Sequence, residues 1–214
     1  YSQGSTAIPP GLKTFAGRVE DVLNEFKAAG RIHAFGGSNW STARIQKANE
    51  YAEAHNLTPF VASSPNFSLA VQLKAPWPNC VSISGPEAAA ERAWYQEKDM
   101  PLFTWSSLAG GFFSGRFERD NLDSFTTYLD KLCVECYCSE ANFERLDRVK
   151  TLAAEKGMTI PQIATAYVLS YPLNIFGLVG CWTVGEFQAN TEALALKLTP
   201  GEIAWLELKS DSRG

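Results

Sequence analysis

The sequence predicts an α/β protein with parallel strands, and two observations carry that reading. Short apolar runs alternate with longer segments whose apolar residues recur at helical spacing, the strand-then-helix order of parallel architecture. Composition supplies the second: 45% hydrophobic and 20% charged residues over 214 positions can bury one sizeable core. No internal repeat, low-complexity tract or linker interrupts the pattern, so the chain reads as one domain.

The first helix runs from Arg18 to Ala29, with Val19, Val22, Leu23 and Phe26 at helical spacing and Gly30 as its stop. Ile32 to Gly36 follows as a strand. Ser41 or Thr42 opens a second helix that reaches about His55, and either Ser41 or Asn39 can cap it. Pro59 to Ser64 is the second strand, ending in Ser64-Pro65-Asn66-Phe67. Val71 to Ser84, with Pro76, Trp77 and Pro78, reads as a loop excursion. Pro86 sits at a favoured first-turn position, and Glu87 to Gln96 continue the third helix.

Pro101 to Ser106 makes the third strand, after which Ala109-Gly110-Gly111-Phe112-Phe113-Ser114-Gly115 turns away. Arg116 to Glu140 reads as a long insertion without a regular element. Asn142 to Lys156 is a helix stopped by Gly157. Pro161 to Ser170 is another, with Ile163, Ala166, Tyr167 and Leu169 as its buried face. Phe176 to Gly180 is the fourth strand. Helices at Val184 to Leu194 and Pro200 to Leu208 close the pattern, the latter with Thr199 as cap and Glu202 in the capping-box position.

Charge and composition exclude several classes of function. Net charge is −4, and the 19 Lys and Arg residues form no run, so neither nucleic acid nor an anionic membrane is an expected partner. No apolar stretch approaches the roughly 20 residues of a spanning helix, and the N-terminus lacks the basic-then-apolar layout of a signal peptide, which makes the cytoplasm the expected home. Residue 1 is tyrosine, so the chain reads as processed, trimmed or cut from a longer product. Sequons at Asn39, Asn56 and Asn66 would matter only in a secreted protein.

Five cysteines, an odd number, do not make a disulfide framework, and reduced thiols are expected. Cys133, Cys136 and Cys138 cluster as C-V-E-C-Y-C but lack a fourth ligand in paired spacing and a nearby histidine, so no metal site is assigned. A helical or loop segment whose Cys and Tyr face packs inward accounts for them. His33 at the start of a strand and His55 at the end of a helix read as structural or exposed.

The candidate chemistry lies at strand ends. Ala34-Phe35-Gly36-Gly37 leads into Ser38 and Asn39, a hydroxyl and a carboxamide able to donate to and accept from one primary amide. The glycines keep side-chain bulk away from the backbone there. Trp105 ends the third strand and is either a core aromatic or a flat apolar face for a ligand ring. The glycine-rich segment after it is either a plain turn or a cradle for phosphate.

Five blocks in one order and spacing then carry a resemblance: G-R-I-H-A-F-G-G-S-N-W, S-P-N-F-S-L, T-W-S-S-L-A-G-G-F-F-S-G, P-Q-I-A-T-A-Y-V-L and G-C-W-T-V-G-E-F-Q-A-N. From about Val19 to Leu208 the chain resembles the C-terminal half of an aldo-keto reductase. The resemblance implies part of a (β/α)8 TIM barrel, its four parallel strands standing for the fifth to eighth and wrapped by helices. Residues 18–214 form the half-barrel domain and residues 1–17 a divergent segment, in which Ile8-Pro9 alone is similar to the family's proline-bearing loop after the fourth strand.

The same resemblance implies a nicotinamide-cofactor site. Ser38 and Asn39 match the pair that binds the nicotinamide carboxamide, and Ser64 stands where the family has an assisting glutamine. Trp105 replaces the tyrosine that stacks on the ring. Ser106, Leu108, Gly110 and Gly111 match the wrap around the pyrophosphate, with Ser107 in place of a frequent proline and Gly110 in place of a frequent basic or polar residue. Gly180, Thr183, Glu186 and Asn190 match the receivers of the adenosine half, Thr183 near a helix start where anions are favoured. Trp182 replaces the Arg or Lys that reads a ribose 2′-phosphate, so the family's preference for NADP over NAD is weakened here.

The family's catalytic aspartate, tyrosine, lysine and histidine match nothing in this chain, so catalytic residues stay unassigned. In that chemistry the tyrosine, its pKa lowered by the lysine, is the general acid. The expectation is NAD(P)H-dependent interconversion of a small carbonyl and an alcohol. Its rivals are a binding or regulatory remnant and a non-redox isomerase or lyase. Four strands do not close a barrel, so a homodimer, a second half barrel or a longer polypeptide is expected to cover the apolar face and edges. Val71 to Ser84 and Arg116 to Glu140 are expected to rim the site.

Overall fold

A computed structural model describes residues 15–213. Ile8-Pro9 and most of the divergent segment lie outside the described residues. The elements run α1 (Phe15–Ala28), β1 (Gly37–Ser38), α2 (Thr42–Ala54), β2 (Ser63–Ser64), α3 (Ala89–Lys98), β3 (Leu102–Thr104), α4 (Tyr128–Tyr137), α5 (Glu140–Lys156), α6 (Ile160–Ser170), β4 (Ile175–Gly177), α7 (Val184–Ala195) and α8 (Pro200–Leu206). Short 3₁₀ turns stand at Pro86–Ala88, Ala109–Ser114 and Leu122–Ser124.

The strands form one parallel sheet in the order β1-β2-β3-β4, with Gly37 opposite Ser63, Ser63 opposite Leu102 and Leu102 opposite Ile175. Order and direction are those expected of a partial (β/α)8 barrel. The ladders are shorter than the apolar runs: Ile32 to Gly36 is replaced by Gly37–Ser38, Pro59 to Ser64 by Ser63–Ser64, Pro101 to Ser106 by Leu102–Thr104, and Phe176 to Gly180 by Ile175–Gly177. Regular pairing is confined to two or three residues per strand, although Val61 N still donates to Phe35 O at 3.1 Å and Gly37 N to Ala62 O at 3.1 Å. Close approach at this edge needs a glycine, because a Cβ on Gly36 would run into the carbonyl of Ala62.

Helix ends follow their capping residues. Ser41 Oγ accepts from Arg44 N at 3.3 Å, so Ser41 rather than Asn39 caps α2. Thr199 and Glu202 complete a capping box on α8, as Thr159 and Gln162 do on α6. Gly157 ends α5 in the left-handed conformation at φ 64°. Helix α6 is buried on nearly every side, from Gln162 through Val168, with Leu169 only half-buried. It packs between α5 and α7, so the single buried face read from the sequence is too narrow.

The insertion Arg116 to Glu140 is the largest correction, since it holds a ten-residue helix, α4. Thr127 caps it, and Cys133, Cys136 and Tyr137 line its buried side. Burial pushes Cys133 up to about 12 and Cys138 up to about 11, so both remain thiols at neutral pH. The inward-packing account of the cysteine cluster therefore describes its geometry.

The two faces of the sheet differ. Leu102 and Thr104 are buried toward the helices, whereas Phe103 between them is 39% exposed on the opposite face. There Phe103 stacks on Phe176 with centroids 5.2 Å apart, and Val61 lies exposed on the same sheet. In a full barrel, positions on this face fill the interior in layers. Among the described residues no helix is long and apolar enough to cross a membrane.

Candidate active site

Parallel register brings the carboxyl ends of all four strands to one side, and the residues singled out in the sequence lie there. Ser38 and Asn39 follow β1. Asn39 has the left-handed φ of 55° and donates its backbone N–H to Ser64 O at 3.2 Å. Ser38 Oγ donates to the same carbonyl at 3.4 Å. The side-chain oxygen of Asn39 accepts from Val81 N at 3.0 Å, which fixes the carboxamide with its nitrogen left as a donor. Ser64 therefore contributes through its backbone oxygen, at the position β2 gives it.

Trp105 follows β3 and joins this group. Its indole Nε1 donates to Ser64 O at 3.3 Å, and its ring stacks on Trp77 at 5.2 Å with planes 22° apart. Its carbonyl accepts from Phe67 N at 3.3 Å and from Asn66 Nδ2 at 3.2 Å. Asn66, fully buried, is the hub: its Oδ1 takes Ser82 Oγ at 2.8 Å and Gln72 Nε2 at 3.3 Å. In the sequence Asn66 stands only in the Ser64-Pro65-Asn66-Phe67 strand end, in the S-P-N-F-S-L block and as a sequon, with no role assigned to it. The loop Val71 to Ser84 carries Trp77 over Trp105.

Beyond Trp105 the chain turns sharply, with Ser106, Ala109, Gly110 and Gly111 at φ 63°, 52°, 64° and 100°. Ser106, Leu108, Gly110, Gly111, Gly180 and Asn190 line one cavity of about 190 Å³. The amides of Gly110 and Gly111 already donate to Ser106 Oγ at 2.8 Å and Leu108 O at 3.1 Å. What these glycines offer a ligand is close access, because a Cβ on Gly111 would meet only Arg116 Nη2, at 4.0 Å. The Ser106 hydroxyl keeps its proton free to donate while accepting from Gly110.

At β4 and α7 the remaining residues stand at a helix start. Thr183 caps α7, accepting from Glu186 N at 3.2 Å, while Glu186 Oε2 accepts from Trp182 N at 2.6 Å. Asn190 Nδ2 donates to Cys181 Sγ at 3.2 Å. Gly180, Thr183 and Glu186 are exposed, and Trp182 is 97% exposed with its ring in solvent. The structure thus gathers Ser38, Asn39, Ser64 and Trp105 into one hydrogen-bonded group, and Ser106, Leu108, Gly110, Gly111, Gly180 and Asn190 around one cavity. Thr183 and Glu186 do not line it; Thr183 is the N-cap of α7 and Glu186 lies in its first turn.

A model of the aldo/keto reductase family matches residues 14–210. Among curated proteins, the chain is 27% identical over 197 residues to the putative aryl-alcohol dehydrogenase AAD14 of Saccharomyces cerevisiae, covering 88% of this chain and 47% of that protein. It is 25% identical over 187 residues to the versiconal hemiacetal acetate reductase of Aspergillus parasiticus, covering 87% and 50%. The chain spans about half the length of the curated relatives it matches. Among solved structures, the thermostable aldo-keto reductase Tm1743 superposes with a TM-score of 0.62 at 16% identity, over 94% of this chain and 56% of that one. An aldo-keto reductase from Klebsiella pneumoniae in complex with NADPH gives 0.61 at 18%, over 94% and 58%. These structural likenesses are likenesses of fold.

Proposed function

The chain belongs to the aldo/keto reductase family, and from that premise we propose that it holds the nicotinamide cofactor of an NAD(P)H-dependent oxidoreductase interconverting a small carbonyl and an alcohol. The observation that carries this reading is the adjacency of two features at one end of the sheet: the Asn39, Ser64 and Trp105 group, and the cavity of Ser106, Gly111 and Asn190 that begins one residue beyond Trp105. The names of the yeast and Aspergillus relatives support a carbonyl or alcohol substrate. The complex of the Klebsiella structure supports NADPH, while Trp182 at the 2′-phosphate position leaves NADH as a comparable ligand.

The residues fit such a cofactor. Open space at Gly111 and Gly180 lets phosphate approach the backbone, and the Ser106 hydroxyl is a donor beside it. Asn39 and Ser38 would hold the carboxamide, and the Trp105 indole would lie against the ring, which supplies the hydride when bound. Thr183 and Glu186 would face the adenosine half.

A proton donor is a different matter. Burial raises Tyr95, pushes Tyr137 up to about 12 and holds Tyr167 well above its ordinary range, the opposite of what a general acid at neutral pH requires. Tyr167 donates its hydroxyl to Glu207, Tyr95 shares a hydrogen bond with Ser63, and Tyr137 accepts from Gln72 Nε2. This favours a second reading of the chain on its own, as the binding half of an enzyme. It is expected to turn over simple aldehydes little or not at all. We also assign the exposed Val61, Phe103 and Phe176 face to contact with a second copy or another half barrel, so light scattering at micromolar concentration should show an assembly larger than one chain.

Calorimetric titration with NADPH and NADH tests the main reading. Saturable binding of at least one nucleotide, weakened about tenfold by Trp105→Ala, is expected. A folded protein that takes up neither contradicts it.

A further inference from the structure

We propose that the loop Val71 to Ser84 is a fixed clamp and that Trp77 at its tip is a positioning residue, setting the Trp105 indole for the nicotinamide ring; this rests on the cofactor reading above. The loop is tied down at both ends. At one end Val71 N donates to Asn142 Oδ1 at 3.0 Å, and Asn142 Nδ2 returns a bond to Val71 O at 2.8 Å. Leu73 N reaches Cys136 O at 2.8 Å, Gln72 Nε2 reaches Tyr137 OH at 2.9 Å, and Lys74 pairs with Glu135. At the other end Asn66 N donates to Val81 O at 2.8 Å and Asn66 O accepts from Ile83 N at 2.9 Å, while buried Arg92 holds Ile83 O and Gly85 O, each at 2.6 Å.

So many bonds to α4, α5 and the buried Asn66 distinguish this segment from a mobile lid, which is drawn from weakly anchored backbone. The same loop touches two of the residues assigned to the nicotinamide, Asn39 and Trp105. Val81 fixes the Asn39 carboxamide, and Trp77 covers one face of Trp105. With its Nε1 edge held by Ser64 O and one face held by Trp77, Trp105 has little freedom to rotate. A side chain fixed before binding loses less entropy when the ligand arrives. The contribution of Trp77 is therefore made through Trp105 and only for ligands that carry the nicotinamide.

The test compares the full chain with Trp77→Ala, Trp77→Leu and Trp77→Phe by calorimetry, with thermal unfolding confirming that each is folded. Probes are NADPH, NADH and two compounds without nicotinamide, ADP-ribose and its 2′-phosphate. The dissociation constants for NADPH and NADH should rise about three- to tenfold in Trp77→Ala and Trp77→Leu, recover in Trp77→Phe, and stay within about twofold for the ADP-ribose compounds throughout. Trp77→Leu keeps apolar bulk without a flat ring, so the comparison stands if the alanine variant does not fold. Unchanged or tighter NADPH binding in the leucine variant would overturn the inference, as would equal weakening of all four probes. If the unsubstituted chain binds neither NADPH nor NADH, the cofactor reading itself fails and this inference with it.

Discussion

Asn39 and Trp105, which belong to different strand ends, donate to the same acceptor: the backbone N–H of one and the indole N–H of the other lie 3.2 and 3.3 Å from Ser64 O. The middle strand end thereby couples its two neighbours, and does so through backbone. The side chain at residue 64 is free to be short because the shared carbonyl sets the spacing.

Replacing Trp182 with arginine should raise the preference for NADPH over NADH by about two- to fivefold, the scale of an exposed ion pair. Trp182 stands almost entirely in solvent, so the change costs the fold little. The ratio of the two dissociation constants checks it, and an unchanged ratio would mean that the 2′-phosphate is read elsewhere or not at all.

Glu20 on α1 is fully buried with neither carboxylate oxygen hydrogen-bonded, and burial, with Asp21 adding to it, pushes its pKa up to about 7 from 4.5. The protonated form suits the fold, so its stabilising contribution is complete below about 4.5 and is lost as pH rises through about 7. Glu20→Gln should flatten the decline between pH 5 and 8 and stabilise the protein at pH 8 by about 1–3 kcal/mol. Denaturant unfolding across that range checks it; an unaltered slope would place the ionisation elsewhere.

Gly36→Ala should destabilise by about 1–3 kcal/mol, because the new methyl meets the Ala62 carbonyl across β1 and β2, where backbone has little room to yield. Gly180→Ala, with nothing within 4 Å, should change stability by under about 0.5 kcal/mol. Thermal unfolding of the pair separates close strand approach from a general effect of losing glycine.

What the sequence made legible was local. Helical spacing and stops such as Gly157 located most helices to within a few residues, and the capping box at Thr199 was readable directly. Strand existence and order were visible in the apolar runs, but ladder length depends on hydrogen-bond partners from distant segments. In the sequence, helix α4 is undecided between helix and loop because its buried residues are cysteines and tyrosine, of middling helix propensity, although Thr127 and the spacing of Cys133, Cys136 and Tyr137 are there to be read. Ser38, Asn39 and Trp105 were singled out through motif order, and the structure brings them together around Ser64 O. Asn66 and Trp77 were not, since what distinguishes them is a contact across the fold, Asn66 to Ser82 and Trp77 to Trp105.

Hydrogen–deuterium exchange of the full chain with and without NADPH locates the bound nucleotide on the fold. Binding at the strand ends should protect together the segments around Ser38 and Asn39, Ser64 to Asn66, Trp105 to Gly111 and Gly180 to Asn190, with α5 and α8 unaffected. Saturating NADPH that protects none of these segments, or protects only residues remote from the strand ends, would contradict it.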